Sequence, residues 1–131
     1  MSEHNYKIYK RISGYLVPLS LKKNIPFKTK RIFIINGKKN YYRGDHAHHK
    51  CSQFLISISG SVTVEYETTN KKNKKKLSLN NKVGLLIKPK TWLKIKFNNN
   101  NSMLMVFCDR EYEFKDYIEN YKDFKKIIKK K

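Results

Sequence analysis

The apolar positions of this chain fall into short runs rich in β-branched and aromatic residues, separated by glycine, proline and asparagine. The first runs are 15–19, 31–35, 53–59 and 61–66, bounded by Gly14, Pro26, Gly37, Gly44 and Gly60. Runs of this length and composition predict β-strands. Segments 53–59 and 61–66 are separated by Gly60 alone, which predicts a bulge or a very tight turn. The polar, self-repelling run 68–76 reads as a solvated hairpin loop. Four more strand-like segments follow at 76–79, 83–88, 92–97 and 102–108, with turns at Asn80-Asn81, at Pro89 and over 98–101. Only the C-terminus changes period. There Tyr117, Ile118, Tyr121, Phe124, Ile127 and Ile128 recur at three- and four-residue steps among charged residues. That spacing predicts an amphipathic helix over about 115–129, fraying into the basic tail Lys129-Lys130-Lys131.

Many short strands at spacings of about ten residues mean an all-β sandwich or barrel, here closed by one C-terminal helix. The chain of 131 residues is one domain's worth, so 1–131 reads as a single domain with no linker or internal repeat. A doubly wound dinucleotide fold with a second substrate domain is excluded by length. No run approaches the ~18–20 apolar residues of a membrane span, and the charged N-terminus lacks a secretory core, so the expectation is a soluble, cytoplasmic protein without a membrane partner. Cys51 and Cys108 are too few for a disulfide framework and read as reduced thiols. A net charge of +20 invites a polyanion partner, yet 26 of the 30 basic residues are lysine. Nucleic-acid binders favour arginine forks and interleaved aromatics. With alanine occurring once and Lys and Asn making up about three tenths of the chain, the charge reads as compositional, and no nucleic-acid partner is expected.

One segment carries concentrated chemistry: residues 41–53, Tyr-Tyr-Arg-Gly-Asp-His-Ala-His-His-Lys-Cys-Ser-Gln, with three of the four histidines. On an extended strand His46 and His48 share one face, while Ala47 and His49 take the other. A metal pair, two packed core histidines, and a proton-transfer pair are the three readings of such an arrangement. The spacing fits the first motif of a cupin barrel, but Gln53 stands where that motif has a carboxylate, and Leu93 where the second motif returns a histidine. Two histidines fall short of the three or four ligands of a typical site, so no metal is expected. Imidazole takes and gives protons near its unperturbed pKa of about 6.5, which suits moving a proton between neighbouring carbons of a ketose-like substrate. Arg43 stands close enough in sequence to stabilise an enediolate, and Gln53 to orient a hydroxyl or a histidine tautomer.

These residues resemble a known family, the WxcM-like sugar-nucleotide 3,4-ketoisomerases, which are small cupins. The resemblance runs from about Ile25 to Phe124. It rests on Ile25-Pro26-Phe27, Lys30-Arg31-Ile32-Phe33, Arg43-Gly44-Asp45-His46-Ala47-His48, Gln53-Phe54-Leu55 with Ser59-Gly60-Ser61, Gly84-Leu85-Leu86-Ile87, Pro89 to Trp92, and the terminal motif Asp116-Tyr117-Ile118-Glu119-Asn120-Tyr121-Lys122-Asp123-Phe124. It implies a cupin jelly-roll barrel and a shift of the keto group of a dTDP-4-keto-6-deoxyglucose from C4 to C3, without metal or redox cofactor. It also implies His46 and His48 as the acid/base pair, Arg43 and Arg31 as substrate or diphosphate contacts, and a homodimer that exchanges β-strands. The chain departs from the family at Ile34, where a tyrosine is expected and for which Tyr41 or Tyr42 would substitute, and at the turn before Leu93, which lacks a proline, a glycine and the histidine. Two alternatives accompany this reading: a 3,5-epimerase of related fold, and a non-catalytic module that binds sugar nucleotides or glycans.

Overall fold

A computed structural model of the chain describes residues 2–129. In chain order the strands are β1 Ser2–Asn5, β2 Tyr9–Arg11, β3 Gly14–Leu16, β4 Arg31–Gly37, β5 Tyr42–His48, β6 Gln53–Ser59, β7 Ser61–Glu67, β8 Lys72–Ser78, β9 Val83–Ile87, β10 Trp92–Phe97, β11 Ser102–Cys108 and β12 Tyr117–Ile118. The helix α1, Tyr121–Lys129, ends the described chain. The strands form two antiparallel five-stranded sheets, ordered β1-β9-β6-β11-β4 and β12-β5-β10-β7-β8, with β2 and β3 pairing apart as a hairpin. From β4 onward nearly every connection crosses from one sheet to the other, the winding of a jelly roll. The expected cupin architecture holds, as an open sandwich rather than a closed barrel.

The crossing between β6 and β7 takes a single residue. Gly60 sits at φ +64°, and a Cβ there would meet the Ser102 hydroxyl at 3.0 Å and the Asn99 side chain at 3.1 Å. The corner is tied to the β10–β11 turn: the Ser61 N–H donates to Asn99 Oδ1 (2.9 Å), and the Ser102 hydroxyl donates to the Ser61 carbonyl (3.1 Å).

Alternation along β6 feeds two cores at once. Leu55 points between the sheets, where Val62, Val64, Leu77, Leu85, Ile95, Phe97, Leu104 and Val106 meet it. Phe54 and Ile56 point outward, beneath Tyr6 and Ile25 of the N-terminal segment. A third cluster docks α1, with Phe124 and Ile128 against Ala47, Trp92 and Ile118. The helix is pinned at its start, where Tyr121 donates its hydroxyl to Glu67 (2.7 Å) and Lys125 pairs with the same carboxylate (2.7 Å). No described helix is long and apolar enough to cross a membrane.

Two expectations are corrected. The helix begins at Tyr121, not near Lys115, because the apolar pair Tyr117-Ile118 forms β12 and pairs with His48 and Ala47. Asp116 ends a single 3-10 turn, Phe114–Asp116, and accepts from the Lys50 and Cys51 amides (2.8 and 3.0 Å), so it ties down the bend after β5 rather than opening an α-helix. Asn120 supplies the cap, accepting from the Asp123 N–H at 3.0 Å. Of the tail, Lys130 and Lys131 lie outside the described residues. The solvated loop over 68–76 is also shorter than expected, since β8 already starts at Lys72. Lys72 and Lys74 stand opposite Glu67 and Glu65 of β7, so cross-strand charge pairing and the buried Leu77 draw the lysines into an edge strand. Lysines on that edge also deter pairing with another sheet.

Replacing Gly60 with alanine forces a Cβ into the left-handed region and against Ser102. The expected loss is about 1–2 kcal/mol, read as a lowered urea midpoint at constant m value; an unshifted midpoint contradicts this account of the corner.

Candidate active site

The pairing of β5 with β10 slips by one residue. Leu93 pairs with His46 and Lys94 with Gly44, leaving Asp45 inserted between them. This β-bulge requires two positive φ angles, +93° at Gly44 and +63° at Asp45. The first needs glycine for a second reason: a Cβ there would stand 2.9 Å from the Leu93 carbonyl oxygen. Asp45 is tied down by the Trp92 indole, whose Nε1–H donates to its carboxylate at 3.1 Å.

The bulge changes the parity of the strand. Arg43 and His46 are three residues apart and would face opposite ways on a regular strand, yet both line one cavity of about 450 Å³ between the sheets. Arg31, Gln53 and Tyr117 join them on its wall. Phe33, Ile35, Leu55, Ile95 and Val106 give the rest of the wall an apolar character.

His48 stands beside His46, with ring centroids 5.0 Å apart and planes nearly perpendicular at 89°. It is only 7% exposed, whereas His49 is exposed on the other side of the strand, as the alternation predicts. Tyr117 lies across both imidazoles, 5.0 Å from His46 and 4.4 Å from His48. Arg31 is clamped between the rings of Phe33 (4.6 Å) and Tyr112 (5.1 Å). Gln53 is 4% exposed, and its amide donates to the Cys108 thiol at 3.7 Å. Its amide therefore has a sulfur partner.

Five of the six expected site residues thus come together. Tyr42 does not. The bulge leaves it on the outer face of the sheet, half exposed, with the Lys94 ammonium 4.6 Å over its ring. Tyr41 is also exposed and outside the cavity wall. Ile34 lies on the cavity rim, and Leu93 is buried in the core, so an alkyl group fills the place of the second-motif histidine. Reasoning from sequence missed Tyr117 and Tyr112 as site residues, because the helical spacing of Tyr117 with Tyr121 and Phe124 masked its place in β12. A wider groove of about 680 Å³ lies outside the second sheet, but no histidine lines it, and of its four carboxylates Glu67, Asp45 and Glu65 are engaged by Lys125, Tyr121, Trp92 and Lys74.

The environment keeps the pair neutral. Burial pushes the His46 pKa down, against the opposing pull of its bond to the Gly44 backbone and of Glu119 and Asp45. Burial also pushes His48 down, to about 4, with the neighbouring His46 and Arg31 adding to the effect and Asp116 and Asp109 opposing it. The Tyr117 hydroxyl is raised by burial, and the facing Arg31 guanidinium works the other way. The arrangement offers two uncharged proton acceptors in contact, a chamber with one polar and one apolar side, and two cationic forks on its wall.

Comparison with known proteins agrees with this geometry. The family described as FdtA, WxcM-like, C-terminal matches residues 3–129. A TDP-4-oxo-6-deoxy-α-D-glucose-3,4-oxoisomerase from Aneurinibacillus thermoaerophilus is 35% identical over 128 residues, covering 96% of this chain and 91% of its own. Among solved structures, the sugar 3,4-ketoisomerase QdtA from Thermoanaerobacterium thermosaccharolyticum in complex with TDP superposes with a TM-score of 0.90 at 31% identity, covering 98% and 94% of the two chains. The TDP-quinovose 3,4-ketoisomerase WlaRB from Campylobacter jejuni gives 0.85 at 29% identity, covering 95% and 96%.

The depressed His48 pKa fixes the sign of a pH effect. The unfolded chain binds a proton at this side chain below about 6.5, whereas the folded protein binds it only near 4, so stability is whole above 6.5 and drains as pH falls through about 4. Urea unfolding between pH 4.5 and 7.5 is expected to show a flatter profile for His48→Asn than for the native protein; parallel profiles would show that His48 is not buried neutral.

Proposed function

The chain belongs to the FdtA, WxcM-like family, and from that premise we propose that it is a sugar-nucleotide 3,4-ketoisomerase, moving the keto group of dTDP-4-keto-6-deoxyglucose from C4 to C3. The observation that carries this reading is a pair of neighbouring imidazoles held neutral by burial, of which His46 lines a cavity of about 450 Å³ beside two arginines and His48 stands directly behind it.

The reaction is a proton transfer between adjacent carbons. One imidazole of the pair takes the proton from C3, leaving an enediolate with its charge on the C4 oxygen. The C3 hydroxyl proton passes to that oxygen, the C3 carbonyl forms, and the imidazolium, after exchange with solvent, returns a proton to C4. Burial serves the first step, because both rings are unprotonated near neutral pH and ready to accept. Negative charge that develops on the sugar oxygens meets Arg43, and the clamped Arg31 stands ready for the same charge or for the diphosphate. The apolar wall of Phe33, Ile35, Leu55, Ile95 and Val106 suits the C6 methyl of a 6-deoxysugar. Every group in this sequence of steps belongs to the chain, so neither metal nor redox cofactor is invoked. The 3-keto product suits amination at C3 on the way to the deoxyaminosugars of surface glycans such as lipopolysaccharide, made in the cytoplasm.

Two observations weigh against the alternatives. A 3,5-epimerase needs a tyrosine across the sugar ring from its histidine, whereas Tyr117 touches both imidazoles at 5.0 and 4.4 Å, leaving no room for a pyranose between them. A purely binding module gains nothing from two buried neutral histidines, and neither Ile34 on the rim nor Leu93 in the core interrupts the pair.

We also propose a homodimer that exchanges strands. The β2–β3 hairpin stands apart from both sheets with Tyr9, Ile12, Tyr15 and Leu16 exposed, and β4 has an unpaired outer edge with Ile32 and Ile34 exposed. A partner's hairpin laid on β4 would cover both apolar surfaces and satisfy the open edge.

Incubation with dTDP-4-keto-6-deoxyglucose in deuterated buffer, followed by proton NMR, is expected to yield a 3-keto sugar carrying deuterium at C4. His46→Asn and His48→Asn should each lower kcat by about 10²–10⁴ with the fold intact; full turnover by both variants sinks the assignment, and saturable binding without exchange favours the binding module. Light scattering should return twice the 15.7 kDa chain mass, and a monomer after deletion of the hairpin; a native monomer contradicts the exchange.

A further inference from the structure

Tyr117 occupies an unusual place. It belongs to a two-residue strand contributed by a segment some seventy positions from the histidines, and it pairs in register with His48 itself. Its ring meets two others besides the imidazoles, Tyr112 at 5.8 Å and Phe114 in a stacked arrangement at 6.5 Å, while Arg31 faces its hydroxyl. The ring is therefore held by two aromatic neighbours and in turn lies against both imidazoles. Asp116, the preceding residue, locks the segment by accepting two backbone N–H bonds from Lys50 and Cys51.

We propose that Tyr117 is a positioning residue for the proton-transfer pair: its ring closes over His46 and His48, holding the two imidazoles perpendicular and excluding water from His48. The function of the pair rests on the reading given above, but the geometric part does not. The covering role belongs to the flat ring rather than to the hydroxyl, which points to Arg31. Burial is the largest influence keeping His48 uncharged, and Tyr117 contributes the nearest aromatic face to that burial, at 4.4 Å. The charged and titratable groups around His48 come from four other places: His46 on its own strand, Arg31 on β4, Asp109 after β11 and Asp116 before β12. Two of them, His46 and Arg31, also touch Tyr117, and the phenylalanine variant, which keeps the ring and loses only the hydroxyl facing Arg31, separates that contact from the cover.

The test compares Tyr117→Phe, Tyr117→Leu and Tyr117→Ala by imidazole NMR titration of the substrate-free protein, with turnover of dTDP-4-keto-6-deoxyglucose measured beside it across pH. Phenylalanine should leave the His48 midpoint and the acidic limb of kcat/KM where they are in the native protein. Alanine should raise both by about one unit or more towards the ordinary imidazole value, so that its activity deficit is larger at pH 6 than at pH 8. Leucine, which keeps an apolar side chain and protects against a folding failure of the alanine variant, should give an intermediate shift. An unmoved His48 midpoint in both leucine and alanine variants overturns the proposal, as does a shift in the phenylalanine variant equal to that of alanine. If the native protein proves inactive while the midpoints move as expected, the cover stands and the ketoisomerase reading falls; normal turnover with unmoved midpoints has the opposite meaning.

Discussion

A strand turns successive side chains to opposite faces, and Arg43 and His46 share a cavity only because one residue is inserted between them. The bulge at Gly44-Asp45 is therefore the constraint on which the rest of the site depends. It is held from both sides. Gly44 supplies a backbone conformation and a close approach to the Leu93 carbonyl that a side chain would block, and the Trp92 indole holds the inserted Asp45 by its carboxylate. Trp92 in turn packs on Phe124 of the helix, with ring centroids 5.4 Å apart. The C-terminal helix thus supports the bulge, and through it the alignment of an arginine with the histidine pair.

The site keeps its histidines neutral chiefly by burial. A chain with +20 net charge places two imidazoles where protonation is opposed, by enclosing them in apolar surface and setting them against each other. The lysines stay outside this enclosure. Those of β8 face solvent or Glu65 and Glu67, except Lys75, which pairs with Glu3 of β1, and Lys125 is matched to Glu67. The cations that reach the cavity are arginines, whose guanidinium stays charged and can lie flat between Phe33 and Tyr112 as a lysine ammonium would not. Surface charge and site charge are separate features of this protein, and only the second bears on the chemistry.

The histidine pair also explains why two distant segments must meet. β5 brings His46 and His48, while Tyr117 arrives on β12 after the chain has completed both sheets. Asp116 secures that arrival through backbone N–H groups at the end of β5, so the polypeptide cannot place the tyrosine without also closing the turn at Lys50 and Cys51. The geometry of the histidine pair and the closure of the fold share the same hydrogen bonds.

Much of this architecture was legible in the residues alone. β-branched and aromatic runs marked the strands, Trp92–Phe97 and Ser102–Cys108 to the residue, and Gly60 marked the corner between sheets, because these features depend on local conformation and on a period of two. The face shared by His46 and His48, and the opposite face of His49, followed from the same alternation. The segment 41–53 itself offered Arg43 and Gln53, and the family resemblance added Arg31. Tertiary structure alone decided the rest. The bulge turned Arg43 inward and Tyr42 outward, reversing local parity; pairing with Glu65 and Glu67 drew the lysines of β8 into a strand; pairing with His48 and Ala47 took Tyr117 and Ile118 from a helix whose spacing they satisfied. In each case the deciding interaction came from a partner strand, and no local period records which strand will arrive.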